Sequence, residues 1–67
     1  MENYGQELCF ARRRKGLRQK AVAARAGINP ATVIDIERER ILVQEATYQR
    51  LMGVIEALPE QAKQVAA

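Results

Sequence analysis

Apolar side chains recur along this chain at helical spacing, and no alternating apolar–polar run reaches the length of a useful strand. Tyr4, Leu8, Ala11 and Lys15 fall on one face of a first helix, which Gly16 would close with a left-handed residue; Phe10 then points away from that face. A second, short helix is expected over about 19–25, burying Val22, Ala23 and Ala26, and Gly27 suits a tight turn that glycine adopts cheaply. Asn29 before Pro30 is a start signal, because asparagine can cap free N–H groups and proline in the first helical position forfeits no hydrogen bond. The third helix turns Val33 and Ile36 inward, with Thr32 and Glu37 on its flanks. Ala31, Ile34, Asp35 and Arg38 then form an outward stripe at i, i+3, i+4 and i+7. A fourth helix carries Tyr48, Leu51, Val54, Ile55 and Leu58 on one face, although Gly53 weakens it by about 1 kcal/mol relative to alanine. Pro59 would open a last short helix, PEQAKQVAA, weakly apolar and prone to fray. The pattern predicts an all-α fold, a compact bundle of four to five helices forming one domain over residues 1–67. Its expected core is Leu8, Leu17, Val22, Ala23, Ile28, Val33, Ile36, Leu51, Ile55 and Leu58.

Composition narrows what such a bundle can do. A 67-residue chain that is 48% hydrophobic can bury one small core. Cys9 is its single cysteine and histidine is absent, which excludes a disulfide within the chain and argues against a zinc cluster. With no histidine, no nucleophile beside a base and no phosphate-cradling glycine loop, neither catalysis nor a cofactor is expected, and Cys9 reads as a small helix residue. No apolar run approaches the roughly 20 residues that span a bilayer, and MENYGQEL lacks the pattern of a signal peptide. A cytoplasmic protein without membrane contact is the expectation.

The formal net charge is only +3, but its distribution says more. Between residues 11 and 25 lie Arg12, Arg13, Arg14, Lys15, Arg18, Lys20 and Arg25 without one acid, while the rest of the chain is mildly acidic. A positive field so local suits a polyanion; nucleic acid is the commonest, with an acidic protein surface or a membrane as the others.

Two short helices joined by a tight glycine turn, the second opening with a cap, form a helix-turn-helix. From Gly5 to Leu58 the sequence resembles the phage-repressor-like helix-turn-helix family, the Cro and cI type also called XRE. GQELCFARRRKGL is similar to the family's first helix, with Gly5, Leu8, Arg12, Gly16 and Leu17 in place. RQKAVAARAGI resembles its second helix and turn through Gln19, Ala23, Gly27 and Ile28, and NPATVIDIE its recognition helix through Val33, Ile36 and Glu37. ATYQRLMGVIEAL resembles its fourth helix. The resemblance implies a partly buried ion pair between Arg12 and Glu37, and a Gln19 that binds a DNA phosphate and braces the recognition helix. It further implies a sequence-specific regulator of transcription, a small repressor or controller protein acting as a homodimer on partly palindromic double-stranded DNA.

Two departures from the family pattern shape the expected site. Arg18 stands where the family prefers a serine cap, costing about 1 kcal/mol of capping while adding positive charge near the DNA backbone. With Gln19, Lys20, Arg38 and Arg40 it makes the expected phosphate-binding set. The face expected toward the bases, Asn29, Pro30, Ala31, Thr32, Ile34 and Asp35, is poor in hydrogen-bonding groups. Three readings fit it. Ala31, Ile34 and the Thr32 methyl could touch thymine methyls while Asp35 accepts from a cytosine amino group; shape could supply the specificity; or the helix could bind a protein, making the chain an adaptor or antagonist on the same fold.

The second departure follows Glu37. Glu39 occupies the position where the family usually has a helix-stopping glycine, and the connection to the fourth helix is three residues longer than usual. Either the recognition helix runs on, over about 30–40, or the loop is enlarged. Ile41, Leu42 and Val43 lie in this stretch; they either tuck into the domain's own core or form a dimer contact.

Overall fold

The structure, a computed structural model, describes residues 3–61. Four helices follow in order, α1 (Tyr4–Arg14), α2 (Gln19–Ala26), α3 (Pro30–Glu37) and α4 (Glu45–Ala57), and no strand occurs among the described residues. The fold is therefore a compact all-α one. α2 and α3 pack against each other as the helix-turn-helix pair, α1 lies against α3 and α4, and α4 also supports α2.

Leu8, Leu17, Val22, Ala23, Ala26, Val33, Ile36, Leu51 and Ile55 are buried at the meeting point of the four helices. They pack tightly: the void between Leu8, Val22, Val33, Ile36, Leu51 and Ile55 is about 10 Å³, at most the space of a single water. Ile28 and Leu58, expected in the core, are only half-buried against it, because each lies just beyond a helix end at the margin of the bundle. Gly5 is buried for a steric reason. A Cβ there would stand 2.0 Å from the carbonyl oxygen of Ile36, so only glycine lets the start of α1 approach the end of α3 this closely.

The helix ends are set by local chemistry. The Asn29 side chain accepts from the Ala31 amide at 2.8 Å, with Pro30 in first position. Gly16 and Gly27 take positive φ of 70° and 75° after α1 and α2. In each case the next amide reaches back five residues, Leu17 N–H to Arg12 C=O at 3.1 Å and Ile28 N–H to Ala23 C=O at 3.0 Å. This pair of turns is the Schellman closure, which satisfies carbonyls left open at a helix end.

The third helix closes in the same way without a glycine, which corrects the expected span of 30–40. Its last helical residue is Glu37, and Glu39 takes the left-handed position at φ 62°. Glu39 N–H bonds Ile36 C=O at 3.0 Å and Arg40 N–H bonds Asp35 C=O at 2.9 Å. What offsets the steric cost of a side chain there is visible: the Glu39 carboxylate accepts from the Gln6 amide at 3.0 Å, supplying the first turn of α1 with the cap that Asn3 does not. The enlarged loop is thus residues 38–44.

No helix begins at Pro59. Pro59, Glu60 and Gln61 are non-helical, and Gln61 N–H donates to Lys15 C=O at 2.9 Å, which draws the chain back onto the end of α1. The remainder of the expected fifth helix, residues 62–67, lies outside the described residues.

Candidate nucleic-acid interface

The bundle's polar keystone joins three helices. Arg12 of α1 grips the carboxylate of Glu37 at the end of α3 with both ends of its fork, Nε to Oε2 at 2.6 Å and Nη2 to Oε1 at 2.9 Å. Both side chains are largely buried, 11% and 6% exposed. Gln19 of α2 donates through Nε2 to the same Oε1 at 3.0 Å, and Arg12 Nη1 donates to Leu17 C=O at 2.7 Å. Burial opposes the charge on Glu37, but the hydrogen bonds from Arg12 and Gln19 and the attraction of the guanidinium outweigh it, so its pKa lies below the ordinary carboxylate value. The bond to Glu37 likewise raises the pKa of Arg12 despite its desolvation. Cys9 is half-buried beside this pair, its Sγ 3.9 Å from Arg12 Nη2.

The keystone also arranges the surface cations. Gln19 sits between Arg18 and Lys20 in sequence and Glu37 directly precedes Arg38, so the Gln19–Glu37 bond brings the opening of α2 and the close of α3 to one junction. Arg18, Lys20, Arg38 and Arg40 are all exposed. Gln19 has one hydrogen of its amide committed to Glu37, which leaves the other as a donor. Arg18 makes no side-chain cap for α2.

Along α3, Pro30 and Ala31 are exposed, whereas Thr32, Ile34 and Asp35 are half-buried. The expected stripe is therefore offered only in part. Asn29 is exposed, but its side-chain oxygen is occupied by the Ala31 amide; its amide hydrogens remain. Asp35 does not stand alone, because Arg40 Nη1 lies 3.8 Å from its Oδ1.

The 41–43 segment divides. Val43 packs against the core, whereas Ile41 is 44% and Leu42 99% exposed. Val43 thus takes the self-burying role in part, being half-buried. With Tyr4, Gly5, Glu39 and Gln44 the segment lines a shallow groove of about 380 Å³. Phe10, at 57% exposure, does point outward.

Several contacts carry no signal in the sequence. Lys15 reaches the last carbonyls of α4, with Nζ 2.8 Å from Ile55 O and 3.0 Å from Glu56 O. Arg50 of α4 donates to Ala26 C=O at the end of α2. Tyr4 stacks on Tyr48 with ring centroids 4.2 Å apart, and the Tyr48 hydroxyl donates to Glu7 at 2.6 Å. Among the described residues no cluster of metal-ligating side chains occurs, and no helix is long and apolar enough to cross a membrane.

Comparison with curated proteins gives no match, and neither does comparison with solved structures. A family model described as a helix-turn-helix domain matches residues 4–64. That span runs from the first residue of α1 beyond the end of α4 and contains the α2–turn–α3 unit, the keystone and the cation junction. The chain belongs to the helix-turn-helix domain family, in its XRE/Cro-type group.

Proposed function

We propose that this chain is a sequence-specific DNA-binding regulator of transcription, a small repressor or controller that works as one helix-turn-helix domain and pairs with a second copy. The observation that carries the reading is the junction of Arg18, Lys20, Arg38 and Arg40. Arg18 at the N-cap of α2, Lys20 in its first turn, and Arg38 and Arg40 just past α3 are all exposed, at two helix ends that the Gln19–Glu37 bond holds together. A cationic rim around a protruding helix is what a phosphate backbone requires, since neutralising phosphates supplies most of the affinity for DNA. Arg18, Gln19, Lys20, Arg38 and Arg40 bind phosphates. Asn29, Pro30, Ala31, Thr32, Ile34 and Asp35 face the bases, with methyl contacts predominating. Ile41 and Leu42 meet their counterparts in the second protomer, and each recognition helix enters one of two successive major grooves about 34 Å apart on a partly palindromic site.

A mobility-shift series over rising salt tests this. Binding should weaken steeply, and replacing Arg18 and Lys20 by alanine should weaken it on every sequence and flatten the salt dependence. Changing Thr32 should mainly alter which bases are preferred. No binding to random or genomic DNA at low salt would leave the exposed Ala31 and Leu42 as the basis of a protein-binding adaptor instead.

A further inference from the structure

Asp35 presents a physical difficulty on a DNA-facing helix, since a carboxylate on that face repels phosphate. The loop after α3 answers it. A Schellman closure ordinarily brings two apolar side chains together, one three positions before the left-handed cap sequence and one just after it. Here those positions hold Asp35 and Arg40. The backbone bond from Arg40 N–H to Asp35 C=O, 2.9 Å, makes their proximity obligatory, and the Glu39 carboxylate on the Gln6 amide fastens the loop in that shape.

The resulting pair is built unlike the keystone. One N–O approach of 3.8 Å joins them, longer than a hydrogen bond, and the side chains of Arg40 and Asp35 are 62% and 40% exposed. A contact so open and solvated is held weakly and exchanges partners readily. Asp35 can leave Arg40 for any donor of comparable strength, and Arg40 can leave Asp35 for a phosphate oxygen.

We propose that Asp35 and Arg40 act as an exchangeable pair that separates the specific DNA site from all other DNA. The proposal rests on the DNA-binding reading above. On a non-specific sequence no donor replaces the guanidinium, so moving Arg40 to a phosphate would leave the Asp35 carboxylate unpaired against the backbone; the pair therefore stays together and brings no net charge. Where the major groove presents a cytosine amino group opposite Asp35, that donor replaces the guanidinium. Arg40 is then released to a phosphate, so one correct base pair produces both a base contact and an additional phosphate contact. Asp35 is a positioning residue for Arg40 as well as a reader, and its effect depends on Arg40 being present.

The test uses the whole protein, a site selected by it from randomised DNA, and random DNA of equal length. Wild type, Asp35→Asn, Arg40→Ala and the double variant are titrated over a salt series. Asp35→Asn should bind random DNA more tightly, with a salt slope steeper by about 0.9, the signature of one more phosphate contact. Its preference for the selected site should fall about fivefold or more, the scale of one base pair misread. In the Arg40→Ala background Asp35→Asn should no longer steepen the salt slope on random DNA, leaving only the gain from removing an acid that repels the backbone. If Asp35→Asn steepens the slope equally with and without Arg40, or leaves it unchanged when Arg40 is present, the exchange is overturned while DNA binding stands. If wild type binds neither DNA, the underlying reading falls instead. Both side chains are exposed and the backbone closure does not depend on them, and unchanged thermal melting of the variants verifies that the fold is intact.

Discussion

Glu37 shows how much one carboxylate can organise when its oxygens are shared. Its Oε2 meets Arg12 and its Oε1 meets both Arg12 and Gln19, so a single side chain sets the mutual placement of three helices. Its charge survives burial only because these donors surround it. The pH consequence has a definite sign. The folded-state pKa is depressed, so the stabilisation is fully present above the ordinary carboxylate value of 4.5 and is lost as pH falls through the lowered one. Thermal melts should therefore show an acid-dependent loss below about pH 4.5 that is smaller in Glu37→Gln. Arg12→Ala, which strands a largely buried carboxylate, should cost about 3 kcal/mol at neutral pH by chemical denaturation. This pair was legible from the resemblance alone. The part that Gln19 takes in it was legible only as bracing, because nothing in a sequence says which acceptor an amide will find.

Among the elements, helix starts and stops were readable wherever the residue type is committed to one conformation. Asn29–Pro30, Gly16 and Gly27 announce their roles, and the structure places each where expected. Glu39 announces nothing. A glutamate in a left-handed cap is uncommon, and what holds it there is a contact with Gln6, 33 positions away, that no local pattern encodes. The third helix therefore read as longer than it is. Lys15 was legible as belonging to the inward face of α1, yet its contact with the last carbonyls of α4 depends on tertiary placement. Two substitutions separate the contributions at position 39. Glu39→Ala keeps the left-handed strain and loses the carboxylate, so it should destabilise by about 1 kcal/mol. Glu39→Gly loses the carboxylate but relieves the strain, and should fall within about 0.5 kcal/mol of wild type in the same denaturant titration.

Over the whole molecule, charge and apolar surface are sorted unevenly. The long basic run does not act as one patch: Arg12 is consumed by Glu37 and Lys15 by α4, while Arg18 and Lys20 stay exposed, as do two arginines beyond α3. On the apolar side Leu42 stands almost wholly in water at a groove that it lines with Tyr4, Ile41 and Val43. Burying such a side chain contributes about 1.5 to 3 kcal/mol, a strong incentive for two copies to meet there. Leu42→Glu should therefore shift the mass measured by light scattering from two chains to one without lowering the melting temperature of the monomer. A wild type that stays monomeric at high concentration would remove the dimer from the reading.

The Glu39–Gln6 bond has one more consequence, for the exchange of amide hydrogen with solvent. Amides in the first turn of a helix lack intrahelical acceptors and exchange quickly. The Gln6 amide has an acceptor, delivered by the loop that follows the recognition helix. Its exchange should be slowed by this bond, and Glu39→Ala should speed it while leaving the amides of α4 untouched. The first turn of the chain thus carries a site at which nuclear magnetic resonance can follow the loop beside the proposed DNA-binding face, residue by residue, as DNA or a second protomer engages it.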